Sequence, residues 1–159
     1  EIKMEIRNAV TGIPTSKGVS KVTINNIDDK PGIASSIFLP LSEMGISVDV
    51  IVQTAGNDGK TNLSFTLNDN DLESCVNELM KNNVSKKEFI KTQSGLGKIS
   101  IVGTGIQNQP GYASRMFKTL SENNINIEMI TTSEIRITCI IKSSDLELAA
   151  KSLHKEFIA

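Results

Sequence analysis

Histidine occurs once in these 159 residues, tryptophan never, cysteine twice and proline four times, and aromatic side chains make up only 4%. Each scarcity excludes a class of function. The lone imidazole, His154, falls in a C-terminal helical pattern with no Ser or Cys nucleophile placed to use it, so it reads as a surface or capping residue and no catalytic triad can be written. Cys75 and Cys139 are too few for a disulfide scaffold, and no Cys-x-x-Cys or Cys/His spacing suggests a metal. Both read as packing residues in a reducing, cytoplasmic setting. With 17 basic and 18 acidic residues the formal net charge is -1, which gives no reason to expect a nucleic-acid partner. No apolar run approaches the ~18 residues of a membrane helix, and the N-terminus lacks the layout of an export signal, so no membrane association is expected. The pairs Gly95-Leu96-Gly97 and Gly103-Thr104-Gly105 lack the third glycine of a dinucleotide loop and the Gly-Lys-Ser/Thr of a P-loop. They read as a linker and a strand-end bulge. The chain opens at Glu1 rather than at an initiator Met, which reads as a piece of a longer or processed protein.

What is present is an ordinary globular balance, 38% hydrophobic and 22% charged, organised as an internal repeat. An offset of 79 sets Pro31-Gly32-Ile33-Ala34-Ser35 over Pro110-Gly111-Tyr112-Ala113-Ser114 and leaves ten of the 21 positions from 31 to 51 identical. An offset of 74 then aligns Asp71-Leu72 with Asp145-Leu146 and Leu79 with Leu153, the first copy having a loop five residues longer.

Periodicity gives the order within a copy. Val22 and Ile24 alternate as a strand, and Ile33, Ile37, Phe38, Leu41 and Met44 follow at helical spacing behind Pro-Gly. Ile46, Val48, Val50 and Val52 alternate up to an Asn57-Asp58-Gly59 turn, after which Leu63, Phe65 and Leu67 complete a hairpin. Asp71 caps a second helix with the face Leu72, Val76, Leu79 and Met80, and Phe89-Ile90 ends the unit as a short fourth strand. The second copy ends at Ala159 without its fourth strand, whereas Ile2, Met4 and Ile6 form a spare one at the N-terminus. The fold class is therefore α+β: two ferredoxin-like βαββαβ modules with antiparallel sheets and helices on one face. The first, 19 to 93, is inserted into the second, 1 to 12 plus 96 to 159, through crossings at Pro14–Gly18 and Ser94–Gly97. Pro40 inside the first helix predicts a kink or a short helix. Modules of this size leave one sheet face partly bare, so association is expected.

An RNA-recognition module needs exposed aromatics on its central strands, which here carry Val, Ile, Ser and Thr. An acylphosphatase-like enzyme needs an Arg in its first loop, which here reads Asp28-Asp29-Lys30-Pro31-Gly32. What remains is a strand-to-helix loop ending in Pro-Gly, present twice. It is either a plain turn with a helix cap, or a seat where helix-start N–H groups meet the carboxylate of a small amino acid. The helix dipole supplies only ~0.3–1 kcal/mol, against about 4 kcal/mol for millimolar affinity, so a ligand needs further contacts from a module interface.

Asp29-Lys30-Pro31-Gly32, Ala34, Gln53, Gly103-Thr104-Gly105, Pro110-Gly111, Asn126-Ile127-Glu128 and Thr132-Ser133-Glu134-Ile135-Arg136-Ile137 together resemble the paired ACT domains of aspartate kinases, as a regulatory β subunit or the equivalent C-terminal region. The resemblance spans essentially the whole chain. It implies a regulatory part that performs no phosphoryl transfer, senses threonine and/or lysine, and feeds back on the kinase that makes 4-phospho-L-aspartate from ATP and aspartate. It implies a homodimer through the ACT domains, a catalytic subunit or domain as partner, and ATP and Mg only in that partner, with no cofactor in this chain. Carried over by position, Asp29, Lys30, Pro31, Gly32, Ile33 and Ala34 meet the effector, Gln53 bonds it, and Asn126 with Ile127 closes the site from another chain. Gln109, Pro110, Gly111 and Tyr112, with Ser133 and Glu134, form a second effector or interface site, a turn being the plain alternative for Ser133 and Glu134. The competing reading is a tandem-ACT small-molecule regulator of another amino-acid pathway.

Overall fold

A computed structural model describes residues 9–158. The chain folds as two compact units: one is Gly18–Gly95, and the other takes the chain on either side of it, up to Lys17 and from Leu96 onward.

The first unit contains β1 (Thr15–Asp28, entering from the flanking segment), α1 (Ile33–Glu43), β2 (Val48–Ala55), β3 (Lys60–Asn68), α2 (Leu72–Lys81) and the start of β4 (Ile90–Val102). Its strand order is β2-β3-β1-β4, with β3 antiparallel to both β1 and β2. Val22 and Ile24 of β1 and Leu63, Phe65 and Leu67 of β3 form one core with Ile37 and Leu41 of α1 and Cys75 and Leu79 of α2, so both helices cover the same sheet face. Phe38 meets Phe65 edge-on at 5.2 Å. Each large apolar side chain buried here contributes about 1.5–3 kcal/mol.

The second unit holds the rest of β4, then α3 (Tyr112–Glu122), β5 (Met129–Thr132), β6 (Arg136–Lys142) and α4 (Leu146–Phe157), with strand order β4-β6-β5. Ile99, Ile101, Ile137, Cys139 and Ile141 face Met116, Leu120, Leu146, Ala149, Leu153 and Phe157. The expected strand at Ile2, Met4 and Ile6 lies outside the described residues. Just after it, the segment 9–14 runs along β4: the Thr11 N–H donates to the Val102 carbonyl at 2.7 Å, Val102 to Gly12 at 3.0 Å and Ser100 to Pro14 at 3.1 Å. Val10 is buried in the core. A Cβ on Gly103 would sit 1.7 Å from the Ala9 carbonyl oxygen, so only glycine lets this segment lie down.

Several local expectations need correction. Thr15–Gly18 and Ser94–Gly97 lie inside the long strands β1 and β4 rather than in linkers. Pro40 does not shorten α1, which at 11 residues equals α3. The missing N–H would have reached Ser36, an exposed residue whose carbonyl water can satisfy. Met44 is the exposed C-cap rather than a face residue. Asp71 makes no side-chain cap; α2 is entered through a 3-10 turn in which Asn68 Oδ1 accepts from the Asn70 N–H. β2 has an irregularity between Val48 and Ile51, which places Ile51 and Gln53 opposite Phe65 and Leu63 on the helix side and ends the alternation begun by Val48 and Val50. On the sheet face away from the helices, Ser100, Thr138 and Ile140 are buried, with Ser100 and Thr138 hydroxyls 2.7 Å apart satisfying each other.

Candidate functional site

β1 ends at Asp28, which lies opposite Lys60 in the ladder and pairs with its ammonium. The Lys60 hydrogen bond and charge hold the Asp28 carboxyl below its ordinary value of 3.8. The next residue ties the loop down, the Asp29 N–H donating to the Gly59 carbonyl of the β2–β3 turn at 2.9 Å. Lys30 accepts from the Ile33 N–H at 3.2 Å, and Gly32, at φ 88° and ψ -4°, is the N-cap of α1. Its carbonyl accepts from Ser36 N–H at 3.0 Å, but no side chain caps the helix start, and the Ser36 hydroxyl turns back to Ile33. With the Ile33 and Ser36 N–H groups so bonded, the Ala34 and Ser35 N–H groups are the ones at the helix start left to a ligand or solvent. Asp29, Lys30, Pro31 and Gly32 are exposed, Ile33 and Ala34 half-buried, and nothing lies within 4 Å of where a Gly32 Cβ would be.

Gln53 comes to the same corner. It faces Leu63, which faces Ile24, in a row on the helix side of the sheet, two residues before the end of β2 beside the turn that anchors Asp29. Its Nε2 donates to Thr61 Oγ1 at 3.3 Å, and Thr61 Oγ1 donates to the Thr54 carbonyl at 2.9 Å. Ile51 on the same side is 48% exposed, so the corner offers apolar as well as polar surface.

The second loop repeats the backbone and changes the equipment. The Gly103 N–H donates to the Ile135 carbonyl at 2.8 Å, a 3-10 turn over Ile106–Asn108 buries Ile106, and Gly111 caps α3 at φ 103°, accepting from Arg115 N–H at 2.9 Å. Gln109, Pro110 and Gly111 are exposed, but Tyr112 is buried and faces the core. Its ring stacks on Phe157 at 6.1 Å, and its hydroxyl accepts from the Ala9 N–H at 3.0 Å. The Arg115 guanidinium lies 4.6 Å from the Phe157 centroid and is fixed by Glu156. Ser133 and Glu134 are exposed in the β5–β6 turn, which the Ser133 N–H closes on the Arg136 carbonyl at 2.8 Å. Asn126 and Ile127 precede β5 and, with Phe117, Ser121, Asn124 and Ile125, line an open groove of about 520 Å³.

His154 is exposed on α4, and among the described residues no group of His, Cys, Asp and Glu could hold a metal ion. Both cysteines are unpaired and buried. Burial, with Asp71 adding to it, pushes the Cys75 thiol up to about 11, and burial pushes Cys139 up to about 12. No described helix is long and apolar enough to cross a membrane. Sequence reasoning did not single out Thr61 or the bond between Ala9 and Tyr112. Thr61 could have been found as the helix-side position of β3 nearest the turn; the Ala9 contact spans 103 residues and has no local signal.

The sequence matches the ACT domain family twice, over residues 22–82 and 99–157. It is 42% identical over 145 residues to an aspartokinase of Helicobacter pylori, covering 91% of this chain and 36% of that protein, and 38% identical over 151 residues to one of Pseudomonas aeruginosa, covering 93% and 36%. The chain thus spans about a third of the length of these curated relatives. Among solved structures, the ligand-free regulatory subunit of the Thermus thermophilus aspartate kinase superposes with a TM-score of 0.83 at 32% identity, over 94% of this chain and 99% of that one. A chain from a structure of aspartokinase alpha and beta subunits superposes equally well at 34% identity, over 95% and 100%. With two copies of the module, an α+β architecture matching throughout and relatives of this kind at both levels, the chain belongs to the ACT domain family, as a paired-ACT regulatory region of aspartate kinase.

Proposed function

We propose that this region senses threonine and/or lysine and restrains an aspartate kinase that forms 4-phospho-L-aspartate from ATP and aspartate, the entry to lysine, threonine and methionine synthesis in the cytoplasm. The observation that carries the proposal is the corner where the helix start of α1, without a side-chain cap and with free space beside a left-handed Gly32, lies at the same end of the sheet as the Gln53 amide. A carboxylate seated on the helix start gains ~0.3–1 kcal/mol from the dipole. Charge-assisted hydrogen bonds contribute about 1.5–3 kcal/mol each. With Asp29, Lys30 and Gln53 engaged, and Asn126 and Ile127 of a second copy closing the site, millimolar binding or better is within reach. The solved relative that holds alpha and beta subunits together supports a catalytic partner for this chain. ATP and Mg belong to that partner. Inhibition follows if the amino acid binds one arrangement of the dimer more tightly than another, since only differential affinity shifts the population.

The test is co-purification with an aspartate kinase catalytic portion, followed by assay of aspartyl phosphate formation with and without threonine and lysine. The proposal expects a complex whose activity falls with one or both amino acids, in a manner that depends on this chain. No complex and no amino-acid dependence would favour the regulator of another pathway.

A further inference from the structure

We propose that Thr61 is a positioning residue: it fixes the Gln53 amide so that its carbonyl oxygen faces outward, making the corner an acceptor for a hydrogen-bond donor on the bound amino acid. The inference rests on reading that corner as the effector site. Thr61 is 2% exposed, and its single hydroxyl proton is committed to the Thr54 carbonyl at 2.9 Å. Its oxygen can then only accept from its other neighbour, so the Gln53 group 3.3 Å away must be the NH2 end. The opposite end, Oε1, is left for the ligand.

Placement supports the pairing. Gln53 lies opposite Leu63 and Thr61 opposite Ala55, so Gln53 and Thr61 are diagonal neighbours on the helix side, a separation that a glutamine side chain can bridge. An amide free to rotate would present donor and acceptor alike and lose rotamer entropy on binding. A held amide has spent that entropy in folding and rejects a ligand group that cannot donate. The second unit has no such pair. Thr132 stands at the repeat position of Gln53 and the half-exposed Ile135 at that of Thr61.

The test uses calorimetric titration of threonine and lysine, separately, into the chain and its variants Gln53→Ala, Thr61→Val and Thr61→Ser, with thermal unfolding to confirm that each is folded. NMR of the Gln53 side-chain amide is read alongside. Thr61→Val is expected to weaken binding about tenfold, in proportion to one hydrogen bond. It is also expected to shift the Gln53 amide protons toward those of a solvated glutamine and to have no effect on a Gln53→Ala background. Thr61→Ser, which keeps the hydroxyl, is expected to restore both affinity and spectrum; a merely structural role would not give that rescue together with non-additivity. Binding that Gln53→Ala weakens but Thr61→Val leaves intact would overturn the positioning role alone. Binding indifferent to Gln53→Ala, or no heat from either amino acid, would overturn the site and this inference together.

Discussion

The two units share a backbone plan and differ in what they mount on it. The offset of 79 preserves three left-handed positions, as Asn26 and Gly105 (φ 62° and 74°), Gly32 and Gly111 (88° and 103°), and Gly45 and Asn124 (79° and 57°). Only the Pro-Gly position is glycine in both copies; the other two exchange glycine for asparagine, the residue that tolerates this region best after glycine. Buried apolar positions repeat with them: Ile27 and Ile106, Leu41 and Leu120, Ile46 and Ile125. Polar equipment does not repeat. Behind the first Pro-Gly stand a half-buried Ile33 and the Gln53–Thr61 pair; behind the second stand a buried Tyr112 tied to Ala9, with Thr132 and Ile135 in the other two places. The duplicated geometry specifies the module, and the departures from it divide the work. One helix start carries no side-chain cap and, in the proposed function, takes the ligand, whereas the first residue of the other helix is tied to the segment that passes over its own unit.

Six substitutions, arranged as four tests, can break or sharpen that division. The largest effect is expected from Gly103→Ala, whose Cβ would collide with the Ala9 carbonyl. It is expected to cost about 3 kcal/mol or more, read as a fall in melting temperature, whereas Gly32→Ala, with open space around it, is expected to cost only about 1–2 kcal/mol of backbone strain. Equal losses in the two would contradict the difference drawn between a packed and an open position. Next, Gly32→Asp places bulk and a negative charge where a carboxylate would sit, and effector affinity measured by calorimetry is expected to fall about a hundredfold. Gly111→Asp is expected to leave that affinity close to its original value.

A smaller effect is expected from Tyr112→Phe, which removes the acceptor for the Ala9 N–H while keeping the ring on Phe157. Unfolding in urea should show a loss of about 1 kcal/mol with effector affinity unchanged. The smallest concerns Asp28, whose carboxyl is held below 3.8 by Lys60. A lowered carboxyl pKa stabilises the fold above the unfolded value, and that contribution fades as pH falls through the lowered value. Asp28→Asn should therefore lower the melting temperature only slightly at pH 7, and the two proteins should converge as pH falls below 4 and the parent loses the same small contribution; a large loss at neutral pH would contradict the exposed character of the pair.

Much of the fold was legible because the repeat gives two readings of each element. A helix behind Pro-Gly seen twice outweighs the proline inside one copy, and α1 indeed runs through Pro40. Periodicity failed where backbone irregularity resets it. The break after Val48 moves Ile51 and Gln53 to the helix side, which no count of alternating valines along β2 can show. Capping was misjudged at Asp71 because a 3-10 turn begins two residues earlier, with Asn68 doing the capping. The loop residues 29–34 and Gln53 were named from resemblance, and the ladder register brings them to one corner. Thr61 and Ala9 were missed because their importance lies in one hydrogen bond each, made possible by register in one case and by chain return in the other.

The most direct measurement is calorimetric titration of the chain with threonine, lysine, methionine and isoleucine, with light scattering on each mixture. Saturable heat from threonine or lysine, absent in Gly32→Asp and accompanied by a shift to dimer mass, is the expected result. A folded chain that gives no heat with either and keeps its mass throughout would contradict the assignment of the Gly32–Gln53 corner as an amino-acid site.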